Sequence, residues 1–526
     1  MRLNMRRSSK IACALVSGVL LWLSFPTVLF GWHMPDMGWL AWIALVPLVI
    51  AMRGASPSRA FLFAFICGLV AYAGSLYWLY NAMHAYGKMS PQLSVLVLIL
   101  LVVLQSLYMG MAAFTARFIQ VRFRGEFLAW LPVCWVAFEF ARNYTPMNGF
   151  SWANIAMSQW KNLYAIQVVD VVGVYGLIFL IVWVNVFIAE MVVRLRGESV
   201  RLFLPKAIAT AVLVAAMFIY GYVRYGEMLT PQENSPVLKV GIVQPNIPQD
   251  EKWAPQKLAR NLHRLRHASR RLRDAGIDLI IWPEASFPFE LSTEALEIDP
   301  RALGFDQGEI GEYPLVMMGA ITEKPDGDYY NSAVVFDAQG KKRGQYHKAH
   351  LVPFGEYVPY EKLFFFARKL AEPIGKFQAG ESFDPIVTGQ GRIGPLICYE
   401  DVFPEIARKL TANGAQVLVN LTNDAWYGVS SAPFQHVALS VFRAVENRRS
   451  VVRSTNTGVS AIIAPSGKLV MESDIFEDAL MVGPVVLDDR LTLYTRLGDW
   501  FAWACVAYAA VGLILGLILK YRRVPQ

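Results

Sequence analysis

Three side chains in the C-terminal half of the sequence have the types needed for acyl chemistry at a carbonyl carbon: Cys398, Glu284 and Lys348. A thiolate can attack the carbonyl, a carboxylate can take the thiol proton, and a cation can stabilise the tetrahedral oxyanion. Cys398 closes the apolar run Gly394-Pro395-Leu396-Ile397 and is followed at once by Tyr399, Glu400 and Asp401. The pattern predicts a buried strand ending in a strand-to-helix turn, which presents a thiol while the strand behind it stays fixed. The backbone N–H of Tyr399 would then serve as a second oxyanion donor. Glu284 follows the apolar run Asp278–Trp282 directly, a place where a carboxylate is partly desolvated and can act as a base near neutral pH. Lys348 lies in the stretch Tyr346-His347-Lys348-Ala349-His350-Leu351-Val352-Pro353-Phe354-Gly355-Glu356. Taken singly, each has a plainer reading. Cys398 could be a small core residue, Glu284 a solvated strand end, and Lys348 part of a basic turn with Lys341, Lys342 and Arg343.

The elements that must position these residues fall in 226–499, where the composition becomes that of a globular domain. Val237–Val243 is a β-type run, and Leu258, Leu262, Leu265 and Leu272 recur at helical spacing after it. Asp278–Trp282, Pro314–Thr322, Ser332–Asp337 and Gln416–Leu421 read as further strands, with a helical stretch from Cys398 to Ala412. Strand and helix alternate, which predicts an α/β domain, and functional residues of such domains collect at strand ends. His263 and His267 are four apart on the expected helix, but Arg264, Arg266, Arg270 and Arg271 surround them. A solvated basic face is expected there rather than a metal site.

The rest of the chain belongs to a membrane. Of 526 residues 55% are hydrophobic and 17% charged, with a mean hydropathy of +0.36. Apolar runs at 11–30, 37–52, 60–80, 93–115, 127–141, 163–193, 205–223 and 500–519 predict eight spanning helices. The net charge of +8 comes largely from residues flanking these runs, so it reports topology and excludes a nucleic-acid surface. One set of short loops carries Arg2, Arg6, Arg7, Lys10, Arg53, Arg59, Arg117, Arg122, Arg124, Arg194, Arg196, Arg201, Lys206, Lys520, Arg522 and Arg523. The alternate loops hold only Lys88, Arg142 and Lys161, which predicts both termini in the cytoplasm and 226–499 outside it. Glu139 and Asp170 fall near outer helix ends, where water or Arg142 would satisfy them in an interfacial or packing role. Cys13, Cys67, Cys134 and Cys505 lie in apolar segments, leaving Cys398 without a partner in its own domain. In an oxidising compartment a structural role could be filled by alanine or valine without the oxidation risk, so the balance for Cys398 moves to chemistry.

The segments WPEAS, HKAHLVPFGE and ICYED, in that order, resemble the three motifs of the nitrilase (carbon–nitrogen hydrolase) superfamily, whose Glu-Lys-Cys triad sits on an α-β-β-α sandwich. With a helical bundle before that domain and one helix after it, the whole chain looks like the bacterial apolipoprotein N-acyltransferase family. The resemblance implies an eight-helix transmembrane bundle plus a nitrilase-like α/β domain, divided as 1–225, 226–499 and 500–526. It assigns Glu284 as general base, Lys348 as oxyanion stabiliser and Cys398 as nucleophile, with Glu356, Tyr399 and Glu400 supporting them. Trp253 matches a family tryptophan important for activity, and Asn331 and Trp426 are expected to line the pocket. The implied reaction takes the sn-1 acyl chain of a phospholipid, phosphatidylethanolamine in the family, through a cysteine thioester. The acceptor is the α-amine of the diacylglyceryl-cysteine at an apolipoprotein's N-terminus, in the last step of lipoprotein maturation. It implies a monomer in the bacterial inner membrane with its catalytic domain periplasmic, and neither metal nor cofactor. A membrane-tethered amidase sharing the triad is the alternative, with a transporter or binding scaffold behind it.

Overall fold

The computed structural model describes residues 5–123, 127–195, 203–229, 235–273, 275–305, 314–358, 360 and 377–521. Arg2, Arg124, Arg196, Arg201, Arg522 and Arg523 lie outside them. The chain divides into two compact units, one of Met1–Tyr80, Pro91–Glu227 and Leu497–Gln526, the other of Asn81–Ser90 and Met228–Arg496.

In the first unit each expected apolar run carries helix, but among the described residues five helices are long and apolar enough to cross a membrane. They are Pro57–Leu76, Pro91–Phe123, Ala165–Arg194, Leu204–Met228 and Trp500–Ile518. Of the other three runs, two are cut short for local reasons. The first helix, Arg7–Leu23, stops before Pro26, and a small hairpin pairs Val28–Leu29 with Trp32–His33. The run 37–52 breaks into a 3-10 turn, Gly38–Trp42, and a helix, Val46–Met52, with Pro47 in its first turn. Asn185 satisfies the backbone groups at that break: Leu45 N–H donates to its Oδ1, and its Nδ2 donates to Ala41 O, both at 2.8 Å. The helix Phe127–Arg142 has 16 residues. Arg142 pairs with Glu139 at 2.5 Å, and Asp170 accepts from Arg224 at 3.1 Å and from the Tyr220 hydroxyl at 2.8 Å. Glu139 and Asp170 are thus each tied to a cation.

The second unit is built on two sheets. One contains β1 (Val237–Gln244), β2 (Leu279–Ile281), β3 (Leu315–Glu323), β4 (Tyr329–Phe336), β5 (Lys342–His347) and β12 (Ala479–Val486) in the order β12-β1-β2-β3-β4-β5, with a short strand Leu291–Ser292 on β3. The other contains β6 (Ile386–Thr388), β7 (Gly391–Ile397), β8 (Val417–Thr422), β9 (Ser450–Thr455), β10 (Ala461–Ile463) and β11 (Leu469–Glu472) in the order β11-β10-β9-β8-β7-β6. β1, β2 and β3 run parallel, as do β7, β8 and β9. The helix Leu258–Arg273 packs Leu265 and Leu272 against Val243, Ile280 and Trp282 of the first sheet. Burial of each such aliphatic side chain contributes roughly 1.5–3 kcal/mol. The Trp282 indole N–H donates to Ser269 Oγ at 3.0 Å, so the one polar atom of that ring is satisfied in the core. Ser454 Oγ at the end of β9 lies 3.2 Å from both Val243 O and Ile281 O and shares its one proton between them. These bonds bring the carboxyl ends of β1, β2 and β9 together, and the chain leaves β2 directly into Trp282-Pro283-Glu284.

Candidate active site

Cys398 follows β7 and opens the 3-10 turn Cys398–Val402 with φ of 50°, a left-handed conformation unusual for a residue with a Cβ. Glu400 holds that turn. Its Oε2 accepts from Ile397 N at 2.7 Å, and its Oε1 accepts from Ala349 N at 2.7 Å, His350 N at 3.1 Å and the Tyr346 hydroxyl at 2.9 Å. One buried carboxylate therefore ties the cysteine turn to the segment carrying Lys348. Burial raises Glu400 to about 7, against the backbone donors that favour its charge.

Glu284 is brought in by a glycine. A Cβ on Gly319 of β3 would lie 2.5 Å from Pro283 O and 2.6 Å from Glu284 Cα, so only glycine lets the strand-end backbone pass this close. Ser286 N and Phe287 N then donate to Gly319 O at 2.9 and 3.0 Å. Lys348 continues from β5, so Lys342 and Arg343 of the plainer basic-turn reading lie on a strand. The Lys348 ammonium, 1% exposed, is 2.9 Å from Glu356 and 3.6 Å from Glu284. Glu356 Oε2 also accepts from Val352 N at 2.8 Å.

Asn331 of β4, expected to line the pocket, stands between the two carboxylates. Its Nδ2 donates to Glu284 Oε1 at 2.8 Å and to Glu356 Oε1 at 3.0 Å. Two carboxylate acceptors fix the amide orientation, and its buried Oδ1 has no partner among the described residues. Trp253 is 44% exposed. Trp426 lies on the short turn Asp424–Tyr427, edge to face with Tyr86 at 5.9 Å. The Tyr399 ring packs edge to face on Phe403 at 4.9 Å.

Sequence reasoning missed Lys252. Its buried ammonium donates to the backbone carbonyl of Glu284 at 2.9 Å. Burial lowers it to about 8, opposed by Glu284 and Cys398. Its position beside Trp253 was the available signal, but one lysine in a loop carries no period. Tyr427 is a second such residue, its hydroxyl pushed up by burial and then by Cys398 and Asp424.

Burial pushes the Cys398 thiol up, and Glu284 adds to this, while Lys348 and the Thr422 hydroxyl pull it down. Burial also works against the Lys348 charge, but Glu356 and Glu284 overcome it and hold the ammonium firmly protonated. At rest the sulfur is a thiol beside a carboxylate and a fixed cation. That combination suits proton removal coupled to attack, with a charge waiting for the oxyanion. Among the described residues no group of three or more His, Cys, Asp or Glu side chains is placed to hold a metal.

Comparison with known proteins bears on both units. The carbon–nitrogen hydrolase family model matches residues 239–490, and the model of the apolipoprotein N-acyltransferase N-terminal domain matches residues 17–187. The apolipoprotein N-acyltransferase of Geobacter metallireducens is 40% identical over 512 residues, covering 95% of this chain and 93% of that protein. The protein of the same name from Gloeobacter violaceus is 32% identical, covering 95% and 94%. Among solved structures, a Saccharomyces cerevisiae member of branch 10 of the nitrilase superfamily covers 51% of this chain and 97% of its own, with 20% identity and a TM-score of 0.38.

Proposed function

Because the chain belongs to the apolipoprotein N-acyltransferase family, we propose that Cys398, Glu284 and Lys348 carry an acyl transfer between two lipid substrates. The enzyme is an acyltransferase of the membrane, taking its acyl chain from a phospholipid and giving it to a lipoprotein. Glu284 takes the thiol proton as sulfur attacks the sn-1 ester carbonyl, and Lys348 stabilises the oxyanion. The ester C–O bond breaks, Glu284 returns the proton to the departing lysophospholipid, and a thioester remains on Cys398. The α-amine of the diacylglyceryl-cysteine then attacks the thioester carbon. The C–S bond breaks, Glu284 takes the amine proton, and the thiolate is reprotonated. An amine attacks a thioester more readily than an ester, which gives the covalent intermediate its purpose.

The observation that carries this reading is the placing of Lys348 at 3.6 Å from Glu284, with both side chains acting electrostatically on Cys398. The helices of the first unit support lipid substrates, since each CH₂ drawn into water costs about 0.8 kcal/mol. Phosphatidylethanolamine is the proposed donor. We place the second unit on the periplasmic face of a bacterial inner membrane, as a monomer with both termini cytoplasmic, and its two sheets as the inner layers of an α-β-β-α sandwich. The test is mass spectrometry of the full-length protein after incubation with phospholipid. An acyl adduct on Cys398 that persists until an amine acceptor arrives is expected. Turnover of a soluble amide without such an adduct would favour hydrolysis instead.

A further inference from the structure

Behind the nucleophile lies a second set of charges that the mechanism above does not use. Asp401, Asp424, His436 and Arg453 are each 0% exposed. His436 Nε2 is 2.7 Å from Asp401 Oδ1, and its Nδ1 is 2.8 Å from Asp424 Oδ1. Ionised carboxylates only accept, so each ring nitrogen carries a proton and the ring is an imidazolium. Arg453 closes the square, its NH1 donating to Asp401 Oδ2 at 2.7 Å and its NH2 to Asp424 Oδ2 at 3.1 Å. Burial and Arg453 oppose the charge on His436, but the two carboxylates prevail and raise it to about 9. Two anions and two cations cancel, the condition under which four ionised groups persist away from water.

Two short arms join this tetrad to Cys398. Arg453 NH1 donates to Asn420 Oδ1 at 3.1 Å, and Asn420 Nδ2 donates to the Cys398 carbonyl at 3.2 Å. The Thr422 hydroxyl donates to Asp424 Oδ1 at 3.2 Å and also reaches the Cys398 thiol. It has one proton to give, to Asp424 or to the sulfur once a thiolate forms. On the other side, Arg443 NH1 donates to the carbonyls of Asp401 and Val402 at 3.2 and 3.1 Å, clamping the turn whose first residue has positive φ.

We propose that the Asp401–His436–Asp424–Arg453 tetrad is a positioning device for the nucleophile: it locks the turn carrying Cys398 and cancels Asp424, so that the thiolate forms without an uncompensated anion behind it. The ionisable groups acting on the sulfur from elsewhere are Glu284 after β2, Lys348 after β5, Lys252 after β1, and Asp424 and Tyr427 after β8. Of these only Asp424 belongs to the tetrad, and its charge raises the thiol. The other groups facing His436 are Asp401 and Arg453. The inference rests on Cys398 as nucleophile.

The test is the pH profile of carbamidomethylation of Cys398 by iodoacetamide in the full-length protein in detergent micelles, followed by mass spectrometry. His436→Gln removes a cation, leaves the anions in excess, and is expected to displace the profile to higher pH, alkylation slowing about tenfold per unit of displacement. Asp424→Asn is expected to displace it to lower pH, and the charge-balanced double variant to return it towards the wild type. Displacement of both single variants in the same direction, or of neither, overturns the proposal, since a merely structural role gives no opposite signs. If the single variants fail to fold, Thr422→Val carries the test, being uncharged and of similar volume. A profile displaced to higher pH is expected, and an unchanged one overturns the proposal. An acyl-enzyme formed as readily by Cys398→Ala would instead overturn the nucleophile assignment, a result separable from the alkylation profile.

Discussion

Lys348 Nζ lies 2.9 Å from Glu356 and 3.6 Å from Glu284. The carboxylate that anchors the ammonium is therefore not the one assigned to the thiol proton. In the proposed mechanism Glu284 stays available to accept a proton while the cation is held in place by Glu356.

Glu356→Gln should loosen the cation without removing it. The expected loss in kcat for N-acylation is about tenfold to a hundredfold, against roughly a hundred- to a thousandfold for Lys348→Met, where the oxyanion loses a charged donor. Steady-state kinetics with phospholipid and a lipopeptide acceptor measure both. Equal losses would mean that Glu356 does more than hold Lys348.

Asn331 bridges two carboxylates by donating to each. Asn331→Asp places a third anion in a buried site where Lys348 is the adjacent cation, and like charges this close repel strongly. Acyl-enzyme formation should fall by at least about a hundredfold, a rough estimate from the cost of an unpaired buried charge. Asn331→Leu, which removes the donors without adding charge, should lose less. Single-turnover thioester formation decides the order.

Lys252 adds a cation beside Cys398, and burial lowers it to about 8. Above that pH the ammonium is lost, the thiolate loses one source of stabilisation, and acylation should slow. Lys252→Arg keeps its charge at all accessible pH, so its alkaline limb should move upward. Lys252→Met should be about tenfold slower at neutral pH, the value of one unit of lost electrostatic stabilisation, and should lack that limb. The pH dependence of single-turnover acylation reads all three.

Glu400 is raised from 4.5 to about 7 by burial. A carboxyl with a raised folded-state value contributes stability that is fully present below pH 4.5 and is lost as pH rises through about 7. Glu400→Gln removes this titration, so its unfolding midpoint should vary less than the wild type's across that window. Thermal unfolding in detergent at several pH values gives the two slopes, and parallel slopes would show that Glu400 does not titrate there.

What the sequence disclosed and what it hid follow from locality. Cys398 and Glu284 each end an apolar run, so their strands were visible in a few neighbouring residues. The strand behind Lys348 was not, because Lys342–His347 carries polar residues on both faces. Lys252 and the tetrad were invisible for another reason. Asp401, Asp424, His436 and Arg453 are isolated charges on four separate elements, and only the fold reveals that they share one dry site. The run 37–52 had the hydropathy of a span, yet Pro47 and the Asn185 side chain accommodate a break within it.

Residues 81–90 belong to the same compact unit as Cys398, although 91–227 separate them from the rest of it in the chain. Tyr86 covers an edge of Trp426 at 5.9 Å, and a Cβ on Gly428 would come within 2.4 Å of Asn81 Nδ2. A soluble fragment cut at 226 and 499 would therefore leave one of its own pieces behind. It would bare Trp426 and lose the contact that fits against Gly428. The two units interleave along the gene, so grafting this chemistry onto another membrane anchor would require transplanting an early loop together with the late domain.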